Sequence, residues 1–304
     1  TYIDSRGNKM IHKVLPNGIV SPTLKFVMLG PGSVINPVQL LREIEQAQRF
    51  GYLRHVPIII HPNAAILNTE HAEQEKQRLN GIASTMQGSA AAQIEKMMRE
   101  SEHILASQNS HILHKLHPLI AVAAHDEWTT AMWALRGKYV LAEGSQGFSL
   151  GINQEFWPYC TSRDCGPHRL LGDMGVPWGV NVTTYGTLRT FPIRVGNTPD
   201  GYSGDWYPDQ TEITWDDLGQ TPEKTTVTQR ERRVATFSMD QLRDALFYCR
   251  PNYLFLNFVN YLSKEEIAEL VDDINAEASA HPDFSCSISH MGYGPNYADV
   301  KECL

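Results

Sequence analysis

Short apolar runs and helically spaced apolar positions alternate through the first quarter of the chain. Residues 26–29 and 56–60 are nearly continuous apolar runs, which predict buried strands, and a Gly-Pro-Gly turn follows the first run at residues 30–32. Between the two runs, apolar positions recur at helical spacing and predict a helix over residues 38–50. A strand, a helix and a strand at this spacing are typical of a parallel α/β unit.

The same alternation continues to the end of the chain. The pattern predicts helices over residues 69–79, 239–248 and 264–276, and strands at residues 139–142, 180–195 (a strand or a hairpin) and 253–259. Residues 197–219, rich in Gly, Asp, Trp and Pro, form a loop of a length that is usually functional. We therefore predict one α/β domain over residues 1–304, in which helices flank a mostly parallel central sheet with long loop insertions.

Composition and charge exclude several classes of protein. The 304 residues carry 34 acidic and 26 basic side chains, a net charge of -8 without a broad basic face, so a nucleic-acid partner is not expected. No apolar run approaches the roughly 20 residues of a membrane-spanning helix, so no membrane partner is expected either. Five scattered cysteines predict reduced thiols in a cytoplasmic protein rather than a disulfide framework or a zinc site.

Candidate binding side chains are most concentrated in residues 225–233, TTVTQRERR. If this segment is extended, Arg230 and Arg232 project to the same side, because side chains alternate along a strand. Two guanidinium groups beside threonine hydroxyls suit a small dianion, such as a dicarboxylate or a phosphate. A solvated basic loop fits the same residues, and the pattern alone leaves both interpretations open.

Three further segments carry weaker signals. The small-residue loop at residues 81–90 runs into a helix, where backbone N–H groups can hold an anion, although such a loop also serves close packing. His111, His114 and His117 are three apart on a predicted helix, which could hold a metal but is more typical of surface or packing histidines. A glycine-rich turn at residues 143–147 follows the strand predicted at 139–142, the place where α/β sheets bind ligands.

Eight stretches of the chain resemble the adenylosuccinate synthetase family, in the same order and with similar gaps. They cover about residues 12 to 296 and read VLPNGI, LGPGSVINP, ASTMQGSAA, EGSQG, PYCTSRD, RVGN, TTVTQRERR and GYGP. The family has a P-loop-NTPase-like α/β fold. It phosphorylates the 6-oxygen of a purine nucleotide with a nucleoside triphosphate and Mg²⁺, and the amine of L-aspartate then displaces that phosphate. The resemblance therefore implies a carbon–nitrogen ligase.

The resemblance also implies three sets of binding residues. The acceptor nucleotide would be bound by Ser84, Thr85, Arg99, Gln146, Thr161, Val195 and Arg230. Aspartate would be bound by Thr228, Arg230 and Arg232. The phosphate donor would be bordered by Phe258, Asn260, Gly294 and Pro295. Arg99 matches an arginine that reaches the nucleotide of the neighbouring subunit, so a homodimer is implied.

The residues that would bind the base of the phosphate donor depart from the family pattern. Typical members read guanine with a lysine and an aspartate, where this chain has Phe258 and Asn260. An ionised aspartate only accepts hydrogen bonds, whereas asparagine donates and accepts, as adenine requires. We therefore predict ATP (or dATP) rather than GTP as the donor. The alternative is that Asn260 caps the helix that begins near residue 264.

The resemblance is strongest to the phage branch of the family, which acts on dGMP rather than IMP and makes N6-succino-2-amino-2'-deoxyadenylate for 2-aminoadenine DNA. The host cytoplasm would then be the site of action. The family's phosphate loop, catalytic histidine and metal ligands are expected before Thr1, so the catalytic residues are unknown and no metal ligand is assigned in residues 1–304. An ordinary synthetase acting on IMP and a non-catalytic nucleotide-binding homologue stay open as alternatives.

Overall fold

The computed structural model describes residues 2–99, 101, 103–225, 228–281 and 283–303. Thr1, and Thr226 and Val227 of the arginine-rich segment, lie outside the described residues. The chain divides into two compact units, the first built from Thr1–Arg78, Met86–Ser145 and His168–Val180, the second from Leu79–Thr85, Gln146–Pro167 and Asn181–Leu304. The single domain expected from the sequence stays a prediction.

The first unit contains seven short strands and six α-helices among its described residues. They are β1 (Tyr2–Ile3), β2 (Lys9–Met10), β3 (Val27–Leu29), β4 (Val34–Ile35), α1 (Pro37–Arg49), β5 (Ile58–Ile60), β6 (Ala65–Ile66), α2 (Thr69–Arg78), α3 (Ser89–Met98), α4 (Ser110–Leu116), β7 (Ile120–Val122), α5 (His125–Ala134) and most of α6 (Pro167–Asp173). Strands β3, β5 and β7 form a parallel sheet in that order. The predicted strand–helix–strand unit is therefore confirmed.

The core of the first unit lies where α1 meets the parallel strands. Leu40 and Ile44 of α1 are fully buried, and they belong to one cluster with Ile58, Ile60 and Ile120 of the sheet. Burying each such side chain contributes roughly 1.5–3 kcal/mol, which is why continuous apolar letters predict these strands well.

The strand predicted at residues 139–142 is wrong. The segment is irregular, and Tyr139 and Leu141 are exposed. Its neighbour Glu143 holds the chain instead, because its carboxylate accepts from the backbone N–H of Asn17 at 2.8 Å and of Gly18 at 2.7 Å. Side-chain hydrogen bonds thus anchor this turn in place of a strand ladder.

The second unit contains the remaining elements. They are β8 (Tyr185–Arg189), β9 (Ile193–Arg194), β10 (Glu212–Ile213), β11 (Arg233–Ala235), α7 (Met239–Cys249), β12 (Tyr253–Asn257), α8 (Lys264–Ser279), β13 (Ser287–Gly292) and β14 (Val300–Glu302). Strands β8, β12 and β13 are parallel, and β14 pairs antiparallel with β13 at the edge. Strands β10, β11 and β9 form an antiparallel sheet.

Helices α7 and α8 cover the core of the second unit. Leu254 and Leu256 of β12 are fully buried and cluster with Leu242 and Leu246 of α7 and Ile274 of α8. The predicted α/β class with parallel strands and flanking helices is confirmed. Among the described residues, no helix combines the length and apolar character needed to cross a bilayer.

Candidate functional site

Arg230 ties three loops of the second unit together. Its Nε donates to Thr228 Oγ1 at 3.1 Å, and one terminal nitrogen donates to the carbonyl of Gly196 at 3.1 Å. The other terminal nitrogen donates to the carbonyls of Ala83 and Ser84, both at 3.1 Å. Most of its N–H groups are therefore used to hold backbone, and few are left for a ligand.

Close backbone packing reinforces this tie. A Cβ atom placed on Gly196 would overlap the carbonyl oxygen of Glu231, so only glycine allows the two chains to approach this closely. Val195 precedes this contact, and Thr85 follows the carbonyl of Ser84 that Arg230 binds. The structure thus brings together Ser84, Thr85, Val195, Thr228 and Arg230.

The arginine-rich segment is a hairpin rather than one extended strand. Lys224 and Glu231 form an antiparallel bridge, and between them Thr225 accepts from the N–H of Arg230 at 3.0 Å and donates its own N–H to the Arg230 carbonyl at 2.8 Å. Gln229 takes a left-handed conformation with φ of 53° to complete the turn. Thr225 therefore shapes the turn, and the chain becomes a strand only at Arg233.

Arg232 differs from Arg230 in that its guanidinium has no hydrogen-bond or ion-pair partner among the described residues. The side chain is half-buried, and within the part of the chain that the structure describes it makes no hydrogen bond or ion pair. Burial lowers the pKa of Arg232, and the nearby Arg189 lowers it further, while Glu223 opposes the shift. Arg232 and Arg230 both line a cavity of about 430 Å³. A half-buried, unpaired cation in a cavity is suited to bind an anion.

Arg194 is a structural residue of this region that the sequence did not single out. It is 5% exposed and donates to the carbonyls of Tyr159 at 2.9 Å and Asp205 at 3.2 Å, as well as to that of Ser203. Burial lowers the pKa of Arg194 to about 10. Its guanidinium lies 3.8 Å from the ring centre of Phe156. Arg194 thereby fixes the PYCTSRD loop, and an arginine at the end of a strand, inside the RVGN motif, was the available signal.

Gln146 and Thr161 lie on two loops that hydrogen-bond to each other. The N–H of Thr161 donates to the carbonyl of Leu150 at 2.8 Å, and the N–H of Ile152 donates to the carbonyl of Arg163 at 3.0 Å. Gln146 stands in a left-handed conformation with φ of 71° at the exposed start of the first loop. The structure brings these two loops together, but no direct bond joins the side chains of Gln146 and Thr161 among the described residues.

The four residues predicted to border the phosphate donor follow the carboxyl ends of two adjacent parallel strands. Phe258 and Asn260 come directly after β12, and Gly294 and Pro295 come shortly after β13. The carboxyl edge of a parallel sheet is where open α/β proteins bind nucleotides. The geometry of the second unit is therefore consistent with a nucleotide site at this edge.

The helix-capping alternative for Asn260 is wrong. Ser263 caps α8, because its hydroxyl accepts from the N–H of Glu266 at 3.2 Å and Glu266 accepts from the N–H of Ser263 at 2.7 Å. Asn260 lies in a short 3₁₀ helix (Val259–Tyr261), exposed, and makes no side-chain hydrogen bond among the described residues. Its amide is therefore available to a ligand.

Asp299 braces the turn that carries Gly294 and Pro295. The carboxylate accepts from the N–H of Asn296 at 2.9 Å and from its side-chain amide at 2.8 Å. A Cβ atom on Gly294 would overlap that carboxylate. Glycine at this position is therefore a packing requirement of the turn.

The anion expected at the start of α3 is supplied by the protein. The buried carboxylate of Glu75 accepts from the N–H groups of Gly88 at 2.7 Å, Ala90 at 2.6 Å and Ala91 at 3.3 Å. These are the free N–H groups of the first turn, so the helix end that could attract a phosphate is already capped. The close-packing interpretation of this loop is the one that the structure supports.

The remaining candidates lie in the first unit. Arg99 ends α3 in a left-handed conformation with φ of 60°, and it is exposed. His111 and His114 are exposed on α4, while His117 follows that helix in an extended conformation. No group of three or more His, Cys, Asp and Glu side chains that could hold a metal ion occurs in the described residues. The histidine row is therefore a surface feature, and no side chain here is assigned to Mg²⁺.

Comparison with known proteins identifies the relatives of this chain. The family model described as Adenylosuccinate synthetase matches residues 2–124 and 101–271. A protein of Vibrio phage phiVC8 named N6-succino-2-amino-2'-deoxyadenylate synthase is 45% identical over 304 residues, which cover 99% of this chain and 86% of the relative.

Solved structures give the same result. The succinoaminodeoxyadenylate synthetase of Cyanophage S-2L, bound to dGMP and to dATP as an energy donor, matches with a TM-score of 0.88 and 34% identity over 99% of this chain and 83% of its own. The adenylosuccinate synthetase of Plasmodium falciparum matches with a TM-score of 0.73 at 18% identity, over 100% of this chain and 90% of its own. The second likeness concerns the fold alone.

Proposed function

The chain belongs to the adenylosuccinate synthetase family of carbon–nitrogen ligases, and we propose that it joins L-aspartate to the 6-position of dGMP with ATP or dATP as the phosphate donor. The product would be N6-succino-2-amino-2'-deoxyadenylate. The observation that carries this proposal is the similarity along 99% of the chain to a cyanophage enzyme whose structure holds dGMP and dATP. Since the relatives at 35–45% identity come from phages, we place the reaction in the cytoplasm of an infected host.

The reaction requires two displacements. As N1 loses its proton, the 6-oxygen of dGMP attacks the γ-phosphorus of the donor, which gives 6-phosphoryl-dGMP and a nucleoside diphosphate. The amine of aspartate then attacks carbon 6, and the phosphate leaves with the former 6-oxygen while the amine loses a proton. The protein must therefore hold a dicarboxylate beside the purine ring and keep water from competing with the amine.

The two arginines of the hairpin would have different roles in this reaction. Arg232 has a half-buried guanidinium that makes no hydrogen bond or ion pair with the described residues, so we assign it to a carboxylate of aspartate. Arg230 holds the carbonyls of Ala83, Ser84 and Gly196, so we assign it to shaping the acceptor site around the ribose. Thr228, which accepts from Arg230, would complete the aspartate site through its hydroxyl.

The donor base would lie at the carboxyl edge of β12 and β13. Asn260 can donate to and accept from adenine, and its amide is not used by the helix that follows. Phe258 offers an aromatic surface, and the braced turn at Gly294 and Pro295 would border the base. Mg²⁺ would accompany the phosphates of the donor.

The homodimer implied by Arg99 is a further part of this proposal. If Arg99 reaches the acceptor nucleotide of the partner subunit, each site needs residues from both chains. Mixing Arg99→Leu with Arg232→Ala homodimers should then regenerate activity, because one site of the mixed dimer has no altered residue. Failure to recover activity, in mixtures shown to exchange subunits, would count against a shared site.

Initial rates with dGMP and IMP as competing acceptors test the substrate assignment. We expect kcat/KM for dGMP to exceed that for IMP, and the reverse order would assign the chain to the ordinary purine route. dGMP labelled at the 6-oxygen with a heavy isotope tests the chemistry, since the label should appear in the released phosphate. Label retained in the product would exclude the 6-phosphoryl route.

A further inference from the structure

Arg189 lies against the aromatic ring that we assign to the donor base. It is the last residue of β8, and its guanidinium carbon is 3.6 Å from the ring centre of Phe258. The side chain is 18% exposed and is fixed at two other points: its Nε donates to the carbonyl of Phe191 at 2.8 Å, and it forms an ion pair with Glu223. A guanidinium stacked on an aromatic ring in this way makes a cation–π contact.

The Phe258 ring depends on its neighbours for its position. Phe258 has a left-handed backbone, with φ of 64°, which is unfavourable for a bulky residue unless other contacts hold it. The hydroxyl of Thr190 donates to its carbonyl at 2.9 Å, which fixes the backbone, and Arg189 covers the ring. Since Phe258 is only half-buried, part of its surface stays open at the sheet edge.

We propose that Arg189 positions the donor base by fixing the Phe258 ring on which the purine stacks. This inference rests on the proposed function, because it assumes a nucleoside triphosphate at the carboxyl edge of β12. Aromatic side chains hold bases by stacking, and a ring that is already immobilised loses less entropy when the base binds. Asn260, two residues further along, would then meet the hydrogen-bonding edge of a base whose plane is set.

The planar shape of Arg189 matters to this role. A lysine could keep the ion pair with Glu223, but it has no flat group to lie along the ring and no second donor for Phe191. Glu223 also belongs to the aspartate side of the site, since its carbonyl accepts from the N–H of Arg232 at 2.8 Å. The conservative change Arg189→Lys therefore removes the stacking contact with the least disturbance of charge.

The first experiment compares steady-state constants of Arg189→Lys with those of the intact gene product. Loss of one stacking contact should raise the KM for ATP about five-fold, while the KM values for dGMP and aspartate stay within about two-fold. The matched control is Arg243→Lys, which alters a paired arginine on the outer face of α7 and should leave all three constants unchanged. Equal rises in all three KM values would overturn the proposal, since they would indicate a general structural role.

A double-mutant cycle identifies the residue through which Arg189 acts. In a Phe258→Leu background, Arg189→Lys should have little further effect on the KM for ATP, because the ring that it fixes is gone. Additive effects would overturn the proposal. Equilibrium binding of ATP to the same variants separates this inference from the reaction. If the intact protein makes no product but Arg189→Lys still binds ATP more weakly, only the assigned reaction fails; if ATP binding is unchanged, the role of Arg189 fails.

Discussion

The unequal environments of Arg230 and Arg232 lead to opposite predictions for two similar truncations. The guanidinium of Arg232 makes no hydrogen bond among the described residues, whereas that of Arg230 donates to Thr228 and to three backbone carbonyls. Arg232→Ala should therefore remove a ligand contact and leave the protein stable. Arg230→Ala should destabilise the protein and loosen the acceptor site.

The magnitudes follow from the contacts. A hydrogen bond to a charged group contributes about 1.5–3 kcal/mol, so loss of the Arg232 contact should raise the KM for aspartate roughly 10- to 150-fold. Its effect on the free energy of unfolding should stay within about 0.5 kcal/mol, because the guanidinium has no hydrogen-bond partner to lose among the described residues. Arg230→Ala leaves the carbonyls of Ala83, Ser84 and Gly196 without this donor, which should cost about 2–4 kcal/mol of stability.

The assay measures the KM for aspartate and for dGMP, together with urea unfolding, for both variants. Arg232→Ala should change the aspartate constant alone, and Arg230→Ala should change the dGMP constant and the unfolding midpoint. Arg232→Lys is the control for charge, since it keeps the cation and loses the planar fork. If Arg232→Ala raised the KM for dGMP instead and left the KM for aspartate unchanged, the assignment of Arg232 to the dicarboxylate would be wrong.

Three other predictions test separate parts of the structure. Asn260→Asp should shift the phosphate-donor preference from ATP toward GTP, whereas Ser263→Ala should cost about 1 kcal/mol of stability without changing that preference. An unchanged preference in Asn260→Asp would mean that the Asn260 amide does not recognise the base. Glu75→Ala should lower the free energy of unfolding by about 1–3 kcal/mol, because three N–H groups at the start of α3 lose their acceptor, and a stable variant would contradict this. Burial lowers the pKa of His61 from 6.5 to about 4, so between pH 6.5 and pH 4 the unfolded chain binds a proton that the native chain does not. The free energy of unfolding should therefore fall as the pH drops from 6.5 toward 4. This fall should be smaller in His61→Asn.

The sequence predicted those parts of the fold that depend on local pattern. Continuous apolar runs predicted the strands β3 and β5, and helical spacing predicted the intervening α1. The burial of these elements in one core cluster confirms both predictions. The strand expected at residues 139–142 failed because four apolar letters do not reveal whether a neighbouring strand exists. Glu143 stabilises that turn by hydrogen bonds to residues more than a hundred positions away, which no local pattern can show.

The candidate site shows the same division. The resemblance named Arg230 and Arg232 together, and residue type alone could not distinguish an arginine that holds carbonyls from one whose guanidinium makes no hydrogen bond to the described residues. The sequence did not reveal the roles of Glu75, Arg189 and Arg194, because each residue acts through a contact that only the folded chain creates. The capping role offered for Asn260 was a local inference, and Ser263 three residues later satisfies the same rule better.

The most direct test of the proposed reaction is the mass of the product formed from aspartate, ATP and Mg²⁺ with either dGMP or IMP. We expect a succinyl adduct of dGMP, with little adduct of IMP. An adduct of IMP alone would contradict the assigned acceptor, and Asn260 would then indicate only a change of donor.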